Sequence, residues 1–241
     1  MRTIIICLAL FLGISCQDNI TETKVVTETA QVFSEAKKSV EKDTIVIPER
    51  EFPYLTDKNA MDFFLEYAEN NSENKIRITT YFGKIDILLF EETKFHRANF
   101  IYLTKQNYFD DTQFYRVIDN FIIQGGNTDD IEVLHKRRRI GKYLLPTDTN
   151  HGFTHERGMV SMPSRDVENP YKLASPYQFF IVQKKDGAHH LDGNYTIFGK
   201  VISGMNVVDE IAKQKTDNAN WPLSNVYIKK VEILEEFDTG M

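Results

Sequence analysis

Cysteine is almost absent from this 241-residue sequence. Its two cysteines, Cys7 and Cys16, both lie near the amino terminus. The chain after residue 16 can therefore form no internal disulfide and no cysteine-based metal site. The nearest approach to a histidine cluster is the adjacent pair His189 and His190. Neighbouring residues on a strand face opposite ways, so this pair is not expected to chelate one metal. We predict neither a metal nor a cofactor.

Basic residues are fewer than acidic ones. The 29 Lys and Arg face 35 Asp and Glu, which gives a formal net charge of −6. This balance argues against a nucleic-acid-binding protein, which normally carries a basic face. One basic cluster exists over residues 135–139, followed by Lys142, in a stretch (127–157) predicted to be a long, turn-rich loop. The cluster is either a solvated part of that loop, which we favour, or a site for phosphate or lipid.

The amino terminus has the pattern of a targeting signal. Its apolar run over residues 4–12 is too short to span a membrane, follows the basic Arg2 and ends in small residues before Cys16. This end resembles a bacterial lipoprotein signal, although Gly13 departs from the usual leucine. The resemblance implies a signal peptide over residues 1–15 and a lipid on Cys16 that anchors the chain to a membrane of the cell envelope, facing the periplasm or the exterior. The alternative is an ordinary secretory signal with an incidental cysteine.

Composition divides the rest of the chain into three parts. Residues 16–50 are polar and charged and cannot bury enough apolar surface to offset their ordering entropy, so they are predicted to form a flexible tether. Residues 51–74 form an extension in which helical spacing of apolar residues predicts a helix over 56–70. That helix packs either against the domain that follows or against a partner. Residues 75–236 are long enough for one domain with its own core.

Two apolar, strand-like segments carry polar groups that a core strand would exclude. The first, residues 114–126, contains Arg116 and Gln124 on either side of a predicted hairpin turn. The second, residues 175–182, contains Gln178. Burying a long cation among aromatic side chains is costly unless its donors are used. Arg116 therefore either extends its charged end from the surface to solvent or has a function.

Four ordered motifs resemble those of the cyclophilins, a family of peptidyl-prolyl cis-trans isomerases. Phe-x-Arg followed by Phe and Gln-Gly-Gly lies at residues 114–126, and Gly-x-x-Ser-Met lies at 158–162. Gln-Phe-Phe-Ile lies within 177–181, and Leu-Asp-Gly with Phe-Gly-Lys-Val lies within 191–201. The resemblance covers residues 75–235.

The resemblance implies a mainly β fold, a closed eight-stranded antiparallel barrel capped by two helices, with the helix of the extension as an additional N-terminal element. Alternation of apolar residues predicts a first hairpin from strands at 75–81 and 85–90 and a closing strand at 226–234. Helical spacing predicts the two capping helices at 93–106 and 204–213. A closed barrel would also leave no exposed edge strands.

The resemblance also implies the site. Isomerisation needs no nucleophile or metal; it needs a slot that grips the proline ring and a fixed donor that binds the twisted amide better than the planar one. Arg116 is expected to be the catalytic donor and Gln124 to hold it. The resemblance also implies a set of substrate-binding residues: Phe121, Ile122, Met162, Gln178, Phe180, His190, Leu191 and Tyr195. The alternative for the apolar members of this set is ordinary core packing, and the alternative for Gln178 is a surface amide.

The chain departs from the family pattern at several of these positions. Tyr115 replaces a common histidine, Ile122 a methionine and His190 a large aromatic residue, while Pro163 and the two residues after it replace small and amide residues. The change at His190 argues against tight cyclosporin binding. The changes at residues 163–165 point to a narrower or more basic groove before the proline.

The predicted function is therefore isomerisation of proline-containing segments of exported proteins by a monomer that binds no nucleic acid. The first alternative is a catalytically weak peptide-binding or holdase module that uses the same groove. A barrel that carries a small apolar ligand is disfavoured, because small barrels fill their interior with side chains.

Overall fold

Ten strands form the framework of the described structure. The computed structural model describes residues 50–164 and 169–234. In chain order the strands are β1 (Leu55–Thr56), β2 (Lys75–Thr80), β3 (Lys84–Leu89), β4 (Gln113–Ile118), β5 (Ile122–Asn127), β6 (Gly141–Lys142), β7 (Met159–Ser161), β8 (Phe179–Val182), β9 (Ile197–Ser203) and β10 (Ile228–Ile233).

Several predictions fall on other parts of the chain. The predicted signal peptide (1–15), Cys16 and the predicted tether up to residue 49 lie outside the described residues, as does Arg165 in the altered segment after Met162. The described residues from Phe52 onward belong to one compact unit. Within the part of the chain that is described, no helix has both the length and the apolar character needed to cross a membrane.

Eight of the strands form one antiparallel sheet that curls into a nearly closed barrel. Their order is β10-β2-β3-β9-β7-β8-β5-β4, and β1 pairs separately, in parallel, with β6. The two ends of the sheet meet where Phe114 N donates to Val226 O (2.9 Å) and Ile228 N donates to Thr112 O (2.8 Å). These bonds satisfy part of both edges. The predicted mainly β, eight-stranded antiparallel fold is confirmed.

Alternation along β5 and β8 separates two apolar clusters. Phe179 and Ile181 face the barrel interior with Ile123, whereas Phe180 and Ile122 belong to a second, smaller cluster. Successive side chains of a strand point to opposite faces, so one pair of strands can serve both clusters. The four residues of β8 are all buried for this reason.

Four α-helices lie among the described residues: α1 (Ala60–Asn70), α2 (Lys94–Lys105), α3 (Ile131–Ile140) and α4 (Met205–Ala212). The two predicted capping helices are α2 and α4, and α1 is the predicted helix of the extension. A short 3-10 helix spans His189–Leu191. The two adjacent histidines therefore lie in a helical turn, and treating them as strand neighbours was wrong.

Helix α3 corrects the prediction of a loop at the basic cluster. The Asp130 side chain caps its start by accepting from Glu132 N (2.8 Å) and Val133 N (3.3 Å), and Gly141 ends it with a φ of 152°. Only Val133 and Ile140 of this helix are buried. So narrow an apolar face gives almost no helical periodicity in the sequence, and the helix was therefore not predicted. The arginines in the last turn are one feature that fits a helix, because positive charge is favourable at the negative end of the helix dipole.

Helix α1 packs against α2, the first of the two alternatives for this element. The Tyr102 ring of α2 lies 5.2 Å from the Phe63 ring and 5.9 Å from the Phe64 ring. Phe52, at the start of the compact unit, packs edge-on against Tyr102 at 5.2 Å. Edge-to-face pairs of this kind add to the stabilisation from apolar burial.

Candidate active site

An apolar pocket lies on the outer face of β5 and β8. Ile122 and Phe180 form its floor, and each is only 3% exposed. Three partly buried side chains, Phe121, Leu191 and Tyr195, complete its walls. The Tyr195 ring meets the Phe180 ring edge-on, with 5.8 Å between centroids. The pocket has rigid aromatic and aliphatic walls of the kind that suits a small apolar ring.

A chain of polar side chains crosses the strands beside this pocket. Arg116 lies opposite Gln124 in the β4–β5 register, and Arg116 Nη1 donates to Gln124 Oε1 over a long 3.4 Å. Gln124 Nε2 donates to Tyr115 Oη, and Tyr115 Oη donates to Gln178 Oε1 at 2.8 Å. These bonds tie three neighbouring strand segments together.

The network orients the Arg116 guanidinium without occupying it. Only Nη1 makes a hydrogen bond to another described residue, so Nη2 and Nε keep their N–H groups for a ligand in the groove. A guanidinium remains charged at any physiological pH and holds its donors in one plane. The arrangement therefore offers a fixed cationic donor at the rim of an apolar pocket.

The pocket opens into a larger groove with a volume of about 1040 Å³. A volume of this size accommodates a short peptide segment as well as a single ring. Eight of the ten predicted catalytic and substrate-binding residues line it: Arg116, Phe121, Ile122, Gln124, Gln178, Phe180, Leu191 and Tyr195.

The other two predicted residues lie elsewhere. Met162 does not line the groove; it is 1% exposed and packs in the main barrel core, two residues after the core residue Val160 and therefore on the same face of the chain. His190 is exposed and stacks on the Phe121 ring, with 5.3 Å between ring centroids and 24° between planes, and it is not among the residues that line the groove. This contact can hold the Phe121 ring in place.

The groove also contains residues that the sequence prediction did not include. Helix α3 and the residues after it bring Arg137, Arg138 and Lys142 into the lining of the groove, and we call this part its basic end. The Arg137 guanidinium lies 4.7 Å from the centre of the Tyr177 ring, a cation–π contact. The capping residue Asp130 and the terminal Gly141 are the sequence signals that could have revealed this helix.

Long-range hydrogen bonds hold this basic end in place. Asp57 Oδ1 accepts from Leu144 N at 2.8 Å, and Tyr143 Oη donates to Asn99 Oδ1 at 2.7 Å. Tyr177 Oη donates to Gly141 O at 2.8 Å. The segment after α3 is thus fixed by the extension, by α2 and by the residue before Gln178.

A buried histidine supports the pocket floor. The His155 ring is stacked 5.9 Å below Phe180, with Nδ1 2.7 Å from Asp192 Oδ1 and Nε2 2.9 Å from Ser161 Oγ. Burial lowers the pKa of His155, against the opposing effect of Asp192. The neutral ring then donates from Nδ1 and accepts the Ser161 hydroxyl. Ser161 is fully buried, so this Ser-His-Asp arrangement cannot reach a substrate and is a structural support.

The Asp192 carboxylate completes the same support. Burial by itself raises its pKa, but hydrogen bonds from the His155 backbone and ring lower it by more. Among the residues that the structure describes, no group of three or more His, Cys, Asp or Glu side chains is placed to hold a metal ion.

Comparison with known proteins gives matches over most of the barrel. The family described as cyclophilin type peptidyl-prolyl cis-trans isomerase/CLD matches residues 75–233. A peptidyl-prolyl cis-trans isomerase of Acinetobacter baylyi is 32% identical over 166 residues, 66% of this chain and 84% of the relative. The CYP18-1 isomerase of Arabidopsis thaliana is 34% identical over 160 residues, 66% of this chain and 94% of the relative.

Some relatives are much longer. Against the peptidyl-prolyl cis-trans isomerase-like 2 protein of Rhizopus delemar the identity is 32% over 169 residues, which is 69% of this chain but only 30% of the relative. Among solved structures, a cyclophilin type isomerase of Cryptosporidium parvum has a TM-score of 0.56 and 27% identity, covering 68% of this chain and 98% of its own. A second structure of that protein was determined in the presence of the dipeptide Ala-Pro.

Proposed function

Because the chain belongs to the cyclophilin-type peptidyl-prolyl cis-trans isomerase family, we propose that it catalyses cis-trans isomerisation of Xaa-Pro bonds in peptide segments that enter the groove. The observation that carries this proposal is Arg116, held by Gln124 at the rim of the apolar pocket with donors left for a ligand. The pocket takes the proline ring, and the guanidinium takes the polar atoms of the amide beside it.

The proposed mechanism lowers a rotational barrier. The barrier is about 18–20 kcal/mol because the amide C–N bond has partial double-bond character. When the bond twists, conjugation is lost and the lone pair returns to the prolyl nitrogen, which becomes a better hydrogen-bond acceptor. A donor fixed beside that nitrogen binds the twisted amide more strongly than the planar one and so accelerates rotation.

Each side chain of the site has a part in this mechanism. Phe180 and Ile122 hold the ring while the residue before proline rotates. Gln124 and Tyr115 fix the Arg116 guanidinium, so that no reorganisation is needed when the amide twists. Gln178, at the end of the hydrogen-bond chain, presents its amide to the peptide backbone.

Kinetics of Arg116 variants tests the proposal. The full-length protein would be assayed on a tetrapeptide with one Xaa-Pro bond beside Arg116→Ala and Arg116→Lys. We expect kcat/KM to fall at least tenfold in Arg116→Ala, because one donor to a transition state contributes on the order of 2–4 kcal/mol. Arg116→Lys should recover only part of the loss, since an ammonium lacks the planar fork.

Arg139→Ala is the matched control, because Arg139 is an exposed arginine that does not line the groove. It should retain full activity. Unchanged turnover in Arg116→Ala would reject Arg116 as the donor. Tight peptide binding without turnover in the unmodified protein would favour the alternative, a peptide-binding or holdase module.

We further propose that the protein acts on exported proteins from a lipid anchor at Cys16. The support is the sequence pattern alone: a basic start, a short apolar run and small residues before Cys16. Labelling of growing cells with palmitate tests this proposal. Label should enter the unmodified chain and not Cys16→Ser, and equal labelling of both would contradict it.

A further inference from the structure

The groove has a charge opposite to that of the whole chain. The chain carries a formal net charge of −6. The described residues that line the groove include four cations, Arg116, Arg137, Arg138 and Lys142, and one carboxylate, Asp57. Three of the cations lie on α3 or directly after it, and Arg137 among them lies over Tyr177, the residue before Gln178. A concave site lined by one sign of charge concentrates ligands of the other sign.

None of these four cations is neutralised within the described part of the protein. Elsewhere, five lysine and arginine side chains form ion pairs with carboxylates at 2.5–2.9 Å: Arg77, Lys105, Arg157, Lys213 and Lys230. Among the residues that the structure describes, no such pair involves a groove cation, and Asp57, the one carboxylate in the described lining, already accepts a hydrogen bond from Leu144 N. The positive charge of the groove thus remains available to a ligand.

Helix stability explains only part of this arrangement. Arginines in the last turn of α3 suit the negative end of the helix dipole, whichever way they point. The dipole does not explain why Arg137 and Arg138 line the groove or why Lys142 continues the basic surface beyond the helix. Nor does it explain why none of the three forms an ion pair with a carboxylate in the described part of the chain. Arg137 is in addition held over Tyr177, next to Gln178.

We infer that the groove selects proline-containing segments with an acidic side chain on the flank that passes Gln178 toward α3. This inference rests on the proposed function, because it takes the proline ring to occupy the pocket of Ile122 and Phe180. A peptide fits the observations better than a lipid or a nucleic acid, since the cations lie in the same groove as the proline pocket rather than on an open face.

A matched set of peptides tests this inference. Each peptide has one proline and differs at a single position, two residues before or two residues after it, which holds Glu, Ala or Lys. On one flank we expect kcat/KM of the full-length protein to be about two- to fivefold higher for Glu than for Ala, the range that one exposed ion pair supplies, and lower for Lys. The preference should shrink at high salt, because salt screens exposed charges.

Binding is measured separately from turnover. The chain's single tryptophan, Trp221, lies 5.7 Å from the ring of Tyr115, which lines the groove, so its fluorescence should respond to a peptide bound beside Tyr115. Titration with the same peptides should give a lower Kd for the Glu peptide. This readout does not require isomerase activity, so the charge preference is tested even if the protein proves a poor catalyst.

Charge reversal on α3 assigns the preference to the groove. Arg138→Glu should reduce the ratio of Glu to Ala peptide, in kcat/KM and in Kd, to one or below. Arg139→Glu is the matched control: it is the next residue of the same helix and makes the same change in net charge, but it does not line the groove. Its ratio should equal that of the unmodified protein.

The outcomes distinguish this inference from the proposed function. Turnover of all peptides without a Glu preference on either flank overturns the inference and leaves the isomerase proposal intact. A Glu preference in Kd without turnover keeps the inference and rejects the isomerase. Equal loss of the preference in Arg138→Glu and Arg139→Glu would show that net charge, not the groove, attracts the peptide. Binding to anionic vesicles with no discrimination among peptides would assign the basic end to a membrane surface and overturn the inference.

Discussion

The two halves of the groove are built in different ways. The pocket half, formed by Phe121, Ile122, Phe180, Leu191 and Tyr195 beside Arg116, has its floor and its donor on paired strands whose register fixes them. The basic half, formed by Arg137, Arg138, Lys142 and Tyr143, depends on a helix and on contacts between distant segments. Tyr143 and its partner Asn99, for example, are 44 residues apart.

This difference separates chemistry from selectivity. Strand register sets the position of Arg116 relative to Phe180 through direct neighbours, so the donor and the pocket cannot move apart without breaking the sheet. The basic half can change its charge on exposed helix positions without affecting the barrel core. In this protein the first half therefore suits catalysis, and the second suits the choice of peptide.

The largest expected effect comes from breaking the pocket half at Phe180. Phe180→Ala removes a buried ring and should cost about 3–5 kcal/mol of unfolding free energy. It should also lower kcat/KM on the order of tenfold to a hundredfold, because a fully buried apolar contact is worth about 1.5–3 kcal/mol. Denaturant unfolding and peptide kinetics measure the two effects. Phe180→Leu, which keeps much of the volume, covers the case in which the alanine variant does not fold.

Phe109 provides the matched control for this prediction. It is equally buried, but it packs in the main core between Phe100 and Phe179 and does not line the groove. Phe109→Leu should lose stability and keep its kcat/KM under conditions where it is folded. If both leucine variants lost activity in proportion to stability, the special role of Phe180 would be rejected.

The two halves also differ in how far the sequence predicts them. Eight of the ten predicted site residues line the groove, because strand alternation and motif spacing place them on one face; their roles are still predictions. Met162 was assigned to the pocket from the motif resemblance, whereas alternation from the core residue Val160 puts it in the barrel core, where the structure has it. Helix α3 was missed because a helix with two buried residues has almost no apolar period. Contacts such as Asp57 with Leu144 join segments that no local pattern connects.

A smaller effect is expected from breaking the basic half at Tyr143. Tyr143→Phe removes the hydroxyl that donates to Asn99 Oδ1 and leaves that buried oxygen without this donor. A buried polar group that loses its partner costs about 1–3 kcal/mol. Denaturant unfolding should show a loss of this size. Tyr171→Phe, at a tyrosine that is 78% exposed, is the control and should unfold like the unmodified protein. A stability loss no greater in Tyr143→Phe than in this control would contradict the assigned role of the bond.

The smallest expected effect is a loss of unfolding free energy at acid pH, and it again concerns only the pocket half. Burial lowers the pKa of His155 below the value of about 6.5 that it has in the unfolded chain, although Asp192 opposes this shift and His189 and His190 add to it. Below pH 6.5 the unfolded state therefore binds a proton more readily than the folded state. The stability that neutral His155 contributes is complete above pH 6.5 and is lost as the pH falls through the folded-state pKa.

This pH dependence is tested by measuring the unfolding free energy of the unmodified protein and of His155→Gln between pH 7 and pH 5. The loss on acidification should be shallower in the variant, by less than about 1.4 kcal/mol for each pH unit, the limit for one proton. His96, whose burial lowers its pKa to about 3, destabilises both proteins alike in acid and cancels from the difference. Parallel pH profiles would show that the stability of the pocket floor at Phe180 does not depend on a neutral His155. A shallower profile in His155→Gln would make the pocket half, through Asp192 and Ser161, an acid-sensitive part of the groove.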